Sequence, residues 1–220
     1  MKQLFSKYNH ALAILYLPFY LVCFFWLEKQ NTKDVFLVES TLDHYIPFCE
    51  WFIIPYVLWF GYVAVTIAYF FFTNKRDFIR LCIFLFVGMT ICLGIYYLWP
   101  NGHHLRQDLS TLGRENIFTR MVAYLYSIDT STNVCPSIHT YNSIGCCIAV
   151  FKSSTLKDKK WIRGGALLLT VSICLSTVFL KQHSVIDVAC GLLLSLVMYL
   201  FSYLPKFERI PEQIKETSTT

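Results

Sequence analysis

Two short stretches carry side chains able to do chemistry: Cys135-Pro136-Ser137-Ile138-His139, and the run from Ser176 through Lys181-Gln182-His183 to Asp187. His183 and Asp187 are four apart, so on a helix they share a face with Cβ atoms about 6 Å apart. A carboxylate there accepts a hydrogen bond from one imidazole nitrogen. That fixes the tautomer and leaves the other nitrogen free as a nucleophile. A polar pair that merely anchors a span at the interface would use the same two residue types, so this pair alone does not decide. In the other stretch Pro136 suits the first position of a helix, whose free N–H groups and positive dipole end make an anion site. Ser137 adds a hydroxyl donor, and His139 stands where it can give a proton to a group leaving a bound anion. Taken together these residues point to phosphoryl transfer through a covalent phosphohistidine. Cations must then neutralise the phosphoryl oxygens, and Arg106 and Lys181 are the candidates, arginine because it grips phosphate in bidentate fashion. A snorkelling cation is the alternative for each. His103 and His104 read either as further phosphate donors or as a loop pair without a role. With His139 and Asp108 they lack the tight spacing of a metal site, so neither metal nor cofactor is expected.

The chain around these stretches is built for lipid. Of its 220 residues 55% are hydrophobic and 15% charged, and mean hydropathy is +0.49, whereas a soluble domain is nearer 25% charged. The formal charge of +5 fits loop asymmetry across a bilayer rather than a nucleic-acid surface, since no basic stripe interleaved with aromatics lies outside the apolar runs. Most of the nine cysteines fall inside those runs as small buried hydrophobes, and no disulfide framework is expected.

Six apolar runs, 11–27, 47–72, 78–99, 136–151, 164–180 and 184–204, predict an all-α membrane bundle of six transmembrane helices, with a short N-terminus 1–10 and a polar tail 205–220. The first run resembles a signal peptide but lacks a cleavage site, so it reads as an uncleaved span. Pro55 is expected to kink the second. The fourth run is short and carries His139, Thr140, Tyr141, Asn142 and Ser143. Between the third and fourth runs, apolar residues at helical spacing over 117–128 predict an amphipathic helix lying at the interface. Lys2, Lys7, Lys75, Arg76, Arg80, the basic loop 152–163 and the tail hold most of the 19 Lys and Arg. Both termini are therefore expected to be cytoplasmic and the two chemical stretches to meet on the extracytoplasmic side. Only if the weak fourth run crosses do His139 and His183 reach the same face.

Pro136, Ser137 and His139 match a P-S-x-H motif, and Ser176, His183 and Asp187 match S-R-x5-H-x3-D at its spacing. In these residues the chain resembles the type 2 phosphatidic acid phosphatase superfamily of integral membrane enzymes, which also contains inositol phosphorylceramide synthases and sphingomyelin-synthase-like phosphotransferases. The resemblance implies His183 as nucleophile, Asp187 as its orienting partner and His139 as general acid, with Arg106, Ser137, Lys181 and Ser176 around the substrate phosphate. Two departures stand out. Thr177 replaces the arginine of the last motif, leaving Lys181 as the candidate to supply its charge. Arg106 is followed by Gln107 instead of proline, with no lysine upstream that fits. The missing S-R, with His183-Ser184-Val185-Ile186-Asp187-Val188, looks closer to the phosphotransferase branch. The expected activity is hydrolysis of a lipid phosphomonoester or diphosphate in a cell membrane, the plasma membrane in a bacterium. The alternative is transfer to a lipid hydroxyl acceptor. Expected partners are thus lipid phosphates and membrane lipids, with no nucleic acid. A carrier or non-catalytic membrane protein is the rival from another class, but carriers keep ionisable groups near the bilayer midplane, and here Glu50, Arg80 and Asp187 lie toward span ends.

Overall fold

The computed structural model of the chain describes residues 13–30 and 35–203. The N-terminus 1–10, the first two residues of the first run, residue 204 and the tail 205–220 lie outside the described residues. The helices are α1 (Tyr16–Gln30), α2 (Thr41–Tyr45), α3 (Ile53–Thr73), α4 (Lys75–Leu98), α5 (Ile117–Ile128), α6 (Ile138–Lys152), α7 (Lys160–Phe179) and α8 (Val185–Tyr203). A two-residue parallel ladder, β1 (Phe36–Leu37) on β2 (Asn101–Gly102), clips the first long loop to the third.

A helix stands at each predicted run, and four are long and apolar enough to cross a membrane: α3 with its leading turn from Glu50, α4, α7 and α8. The described part of α1 and the whole of α6 are 15 residues each. At 1.5 Å per residue that is about 22 Å, short of the ~30 Å hydrocarbon layer. In α6 the shortfall goes with position. It packs against α3, α4, α7 and α8, so Thr140, Tyr141, Asn142 and Ser143 are buried among protein groups rather than facing lipid. The peripheral helices instead turn Phe72, Leu168, Leu193 and Phe201 outward, an apolar exterior suited to lipid tails. Pro55 sits in the first turn of α3, where proline is tolerated, so the expected kink gives way to a helix start preceded by a tight turn at Glu50–Phe52.

The helix expected over 117–128 is α5. Asn116 starts it, accepting hydrogen bonds from Phe118 N and Thr119 N, while the Thr119 hydroxyl accepts from Asn116 N, a reciprocal cap. Its apolar stripe divides: Val122 and Leu125 seal against Ile53, Tyr56 and Leu180, whereas Ile117, Met121, Tyr124 and Ile128 stay exposed.

The centre of the bundle depends on two glycines. A Cβ on Gly88 of α4 would lie 2.0 Å from the Tyr141 hydroxyl, and one on Gly145 of α6 would lie 2.6 Å from the Phe84 ring. The two rings stack at 5.0 Å, and the Tyr141 hydroxyl donates to the Phe84 carbonyl. Gly145→Leu is therefore expected to lower stability by about 1–3 kcal/mol through overpacking. Gly164→Ala in α7, where a Cβ meets nothing within 4 Å, should be neutral or gain up to about 1 kcal/mol. Thermal unfolding in detergent separates the two.

Candidate active site

Helix α7 ends by wrapping back on itself: Gln182 N and His183 N both donate to the Thr177 carbonyl, at 2.9 and 3.0 Å. The reversal puts Lys181 at φ 56°, a left-handed conformation unfavourable for a residue with a Cβ. Its ammonium is held there by the carbonyls of Asp43 (2.5 Å) and Ile46 (2.6 Å), and burial lowers its pKa from the ordinary lysine value. Helix α8 then begins under two carboxylates. Asp43 Oδ1 accepts from Val185 N (2.8 Å) and its Oδ2 from the Ser184 hydroxyl (2.6 Å). Asp187 Oδ2 accepts from Ser184 N (2.9 Å) and from His183 Nδ1 (3.2 Å). Carboxylates at a helix start complement its dipole, and the second also sets the His183 tautomer, leaving Nε2 as the unprotonated nitrogen.

The start of α6 is fixed by buried Asn101. Its side-chain oxygen accepts from Val134 N and Cys135 N (3.0 and 2.8 Å), and its amide donates to the Cys135 carbonyl (3.0 Å). The Tyr96 hydroxyl donates to the Pro136 carbonyl at 2.6 Å. Ser137 N donates to the Asp187 carbonyl at 3.1 Å, so the first turns of α6 and α8 are stitched together. Their closeness needs Gly191, where a Cβ would lie 3.0 Å from the Ser137 carbonyl.

The stitch brings His139 and His183 together with ring centroids 5.7 Å apart. Tyr56 (4.6 Å) and Trp59 (4.3 Å) pack on the His139 ring. Both histidines line a cavity of about 820 Å³ whose walls are mostly apolar side chains of α1, α3, α4 and α5, among them Leu21, Phe25, Val57, Val63, Met89 and Met121. That volume lies in the range of ligand sites.

Of the phosphate-binding residues expected from sequence, Arg106 is tied to Gln182, the neighbour of His183 in the chain. Its guanidinium donates to Gln182 Oε1 (2.7 Å) and to the Tyr126 carbonyl (3.0 Å), and stacks on the Tyr126 ring. Its Nε has no partner among the described residues. The ammonium of Lys181 is engaged on carbonyls, and the hydroxyl of Ser176 is turned into α7 toward the Ile173 carbonyl (2.7 Å). The Ser137 hydroxyl accepts from Thr140 N at 3.4 Å and so caps α6.

Sequence reasoning missed Gln182, which is buried, lines the cavity and has no partner at Nε2 among the described residues. Its Nε2 is an N–H donor that an anion in the cavity can satisfy. His103 also has a place: Nε2 bonds the Gln182 carbonyl (2.8 Å) and Nδ1 accepts from Leu105 N (3.1 Å). It is therefore a neutral Nε2–H tautomer that braces the His183 loop, and burial pushes its pKa below the ordinary value. Glu50 grips Arg114 through two 2.8 Å bonds and ties the long 100–134 connection to the start of α3. Among the described residues no group of three His, Cys, Asp or Glu side chains is arranged to hold a metal ion.

Comparison with known proteins places this half of the site in a class. Residues 114–211 match the family model described as PAP2 superfamily, and this segment, from the approach to α5 through α8, belongs to that superfamily. Its members are phosphatases and phosphotransferases, and the match supports a phosphatase-like function at the level of the superfamily. No curated protein and no solved structure matches the chain.

Asp43→Ala leaves Val185 N and the Ser184 hydroxyl without their charged acceptor and is expected to cost about 2–3 kcal/mol, read as a lower unfolding temperature that Asp43→Asn partly restores. His103 contributes a pH dependence. It is held neutral in the fold, while the unfolded side chain takes up a proton near pH ~6.5. Its stabilisation is thus present above that pH and lost as pH falls below it. His103→Asn should flatten the loss of stability between pH ~7 and ~5, measured by thermal unfolding.

Proposed function

We propose that the chain is a membrane lipid-phosphate phosphatase working through a phosphohistidine on His183. The observation that carries this reading is the His139–His183 pair, 5.7 Å between ring centroids, with Asp187 on one imidazole and an apolar cavity in front. His183 Nε2 attacks phosphorus and forms the P–N bond. The P–O bond to the lipid breaks, and His139 gives its proton to the leaving oxygen. Asp187 stabilises the imidazolium, while Arg106 and Gln182 neutralise and orient the equatorial oxygens. A water then attacks the phosphorus, giving its proton to His139; the P–N bond to His183 breaks, inorganic phosphate leaves, and the cycle closes. The apolar cavity suits acyl or isoprenoid chains beside the reacting phosphate. In this reading all six helices cross the membrane, both termini are cytoplasmic and the site opens extracytoplasmically, as the distribution of Lys and Arg supports.

One observation favours a second reading, transfer to a lipid hydroxyl. The cavity beside the histidines is walled by Ile53, Val57, Phe60 and Val63, an environment that admits an amphiphile's hydroxyl more readily than bulk water. Product analysis with and without diacylglycerol or ceramide separates the two, because transfer needs an acceptor. Purified protein given radiolabelled lipid phosphates should retain label in an acid-labile, base-stable bond. His183→Ala should abolish that label and turnover, and His139→Ala should slow turnover by about 10²–10⁴-fold. Unchanged phosphate release in either variant would end this mechanism.

A further inference from the structure

The two histidines of the site are held by different means. His183 has a carboxylate, Asp187, on Nδ1. His139, the second residue of α6, is anchored through its backbone, whose carbonyl accepts from the Ser143 hydroxyl at 2.6 Å. Among the described residues no hydrogen bond reaches its ring nitrogens. The ring instead meets two aromatic side chains that stand three residues apart on one face of α3. Tyr56 lies at 4.6 Å between centroids and 31° between planes, and Trp59 at 4.3 Å and 46°. Both rings are fixed from behind. Tyr56 is 1% exposed, packs in one cluster with Ile53, Val122, Leu125 and Leu180, and donates its hydroxyl to Asp129 Oδ2 at 3.1 Å. Trp59 meets Phe60 edge-on at 4.8 Å, and its Nε1 is buried with no partner among the described residues. A buried N–H left unpaired costs stability, so as mere filling an indole serves worse here than phenylalanine, which has no such group.

A proton donor that is recharged in each cycle has to stand in two protonation states. A fixed hydrogen-bond partner on its ring would favour one state over the other and occupy a nitrogen. Aromatic rings do neither: they stack on a neutral imidazole, attract an imidazolium through their faces, and leave both nitrogens to the reacting groups. They also restrict the ring's rotation, and a misplacement of about 1 Å at a reacting group can cost on the order of 10²-fold in rate. Resting on the reading of His139 as the proton donor, we propose that Trp59 and Tyr56 are positioning residues for the reaction. Together they clamp the His139 ring toward the leaving oxygen while binding neither of its nitrogens.

The test uses two phosphate esters that differ in their need for a proton. The alcohol of dihexanoyl phosphatidate leaves only when protonated, whereas p-nitrophenyl phosphate releases a stable phenolate that needs no acid. With the full chain purified in detergent, Trp59→Leu and Tyr56→Leu should each slow diacylglycerol release roughly ten- to a hundredfold, mainly in kcat. First-turnover release of nitrophenolate should stay within about threefold of wild type, because that step bypasses the acid. Trp59→Phe, which keeps an aromatic ring, should recover part of the lost lipid rate, and it decides by the same selectivity if the leucine variants do not fold. Equal loss on both esters, or no loss on the lipid, would overturn the clamp. A second readout is free of turnover. The ring proton signals of His139, assigned by substitution, should move when Trp59 is replaced, as neighbouring ring currents are removed, while those of exposed His104 stay. An unmoved His139 signal would also overturn the clamp. A moved signal in a chain that forms no phosphohistidine would keep the clamp and remove the catalytic reading.

Discussion

Asp187 is where the two halves of the site are joined. Its carboxylate holds the His183 ring and the first N–H of the α8 turn, and its own carbonyl accepts from Ser137 N at the start of α6. One fully buried residue thereby sets a tautomer, caps a helix and fixes the separation of two histidines that lie 44 positions apart in the chain. An unpaired buried carboxylate is costly, so each of these bonds also supports the others. The remaining architecture serves to bring two helix starts close enough for this arrangement.

That closeness has a packing cost, borne in the middle of the bundle. Helix α6 is short and polar at its start, and it is tolerated because α3, α4, α7 and α8 surround it. Gly88, Gly145 and Gly191 let its neighbours approach to distances that a side chain would forbid. At the site end the packing is polar instead. Asn101 and Asp43, both in long connections, saturate the backbone groups at the starts of α6 and α8, which would otherwise be buried without partners. Connections that composition alone marks as loops are therefore structural members of the site.

What the sequence made legible, and what it hid, follows from this. The apolar runs gave the helices, periodicity gave α5, and the spacing of His139, His183 and Asp187 marked the residues that converge, because each signal is local or motif-bound. Asp43, Asn101, Gln182 and the bracing role of His103 were invisible, since each acts on backbone groups far away in sequence. Residue type singles out Lys181 and Ser176, but it carries no side-chain direction, which a left-handed backbone sets at Lys181 and an intrahelical hydrogen bond at Ser176. The shortness of α6 was visible, but its reason was not: only the packing shows that lipid does not surround it.

The central claim is that both imidazoles act on one phosphate. Protein labelled with ¹⁵N-histidine, its ring nitrogens assigned by substitution, can be titrated with vanadate, which adopts the geometry of a phosphoryl group in transfer. The account predicts that ring signals of His139 and His183 shift together with one saturation curve, while those of exposed His104 do not move. Response of only one of the two, or two curves with separate midpoints, would contradict it.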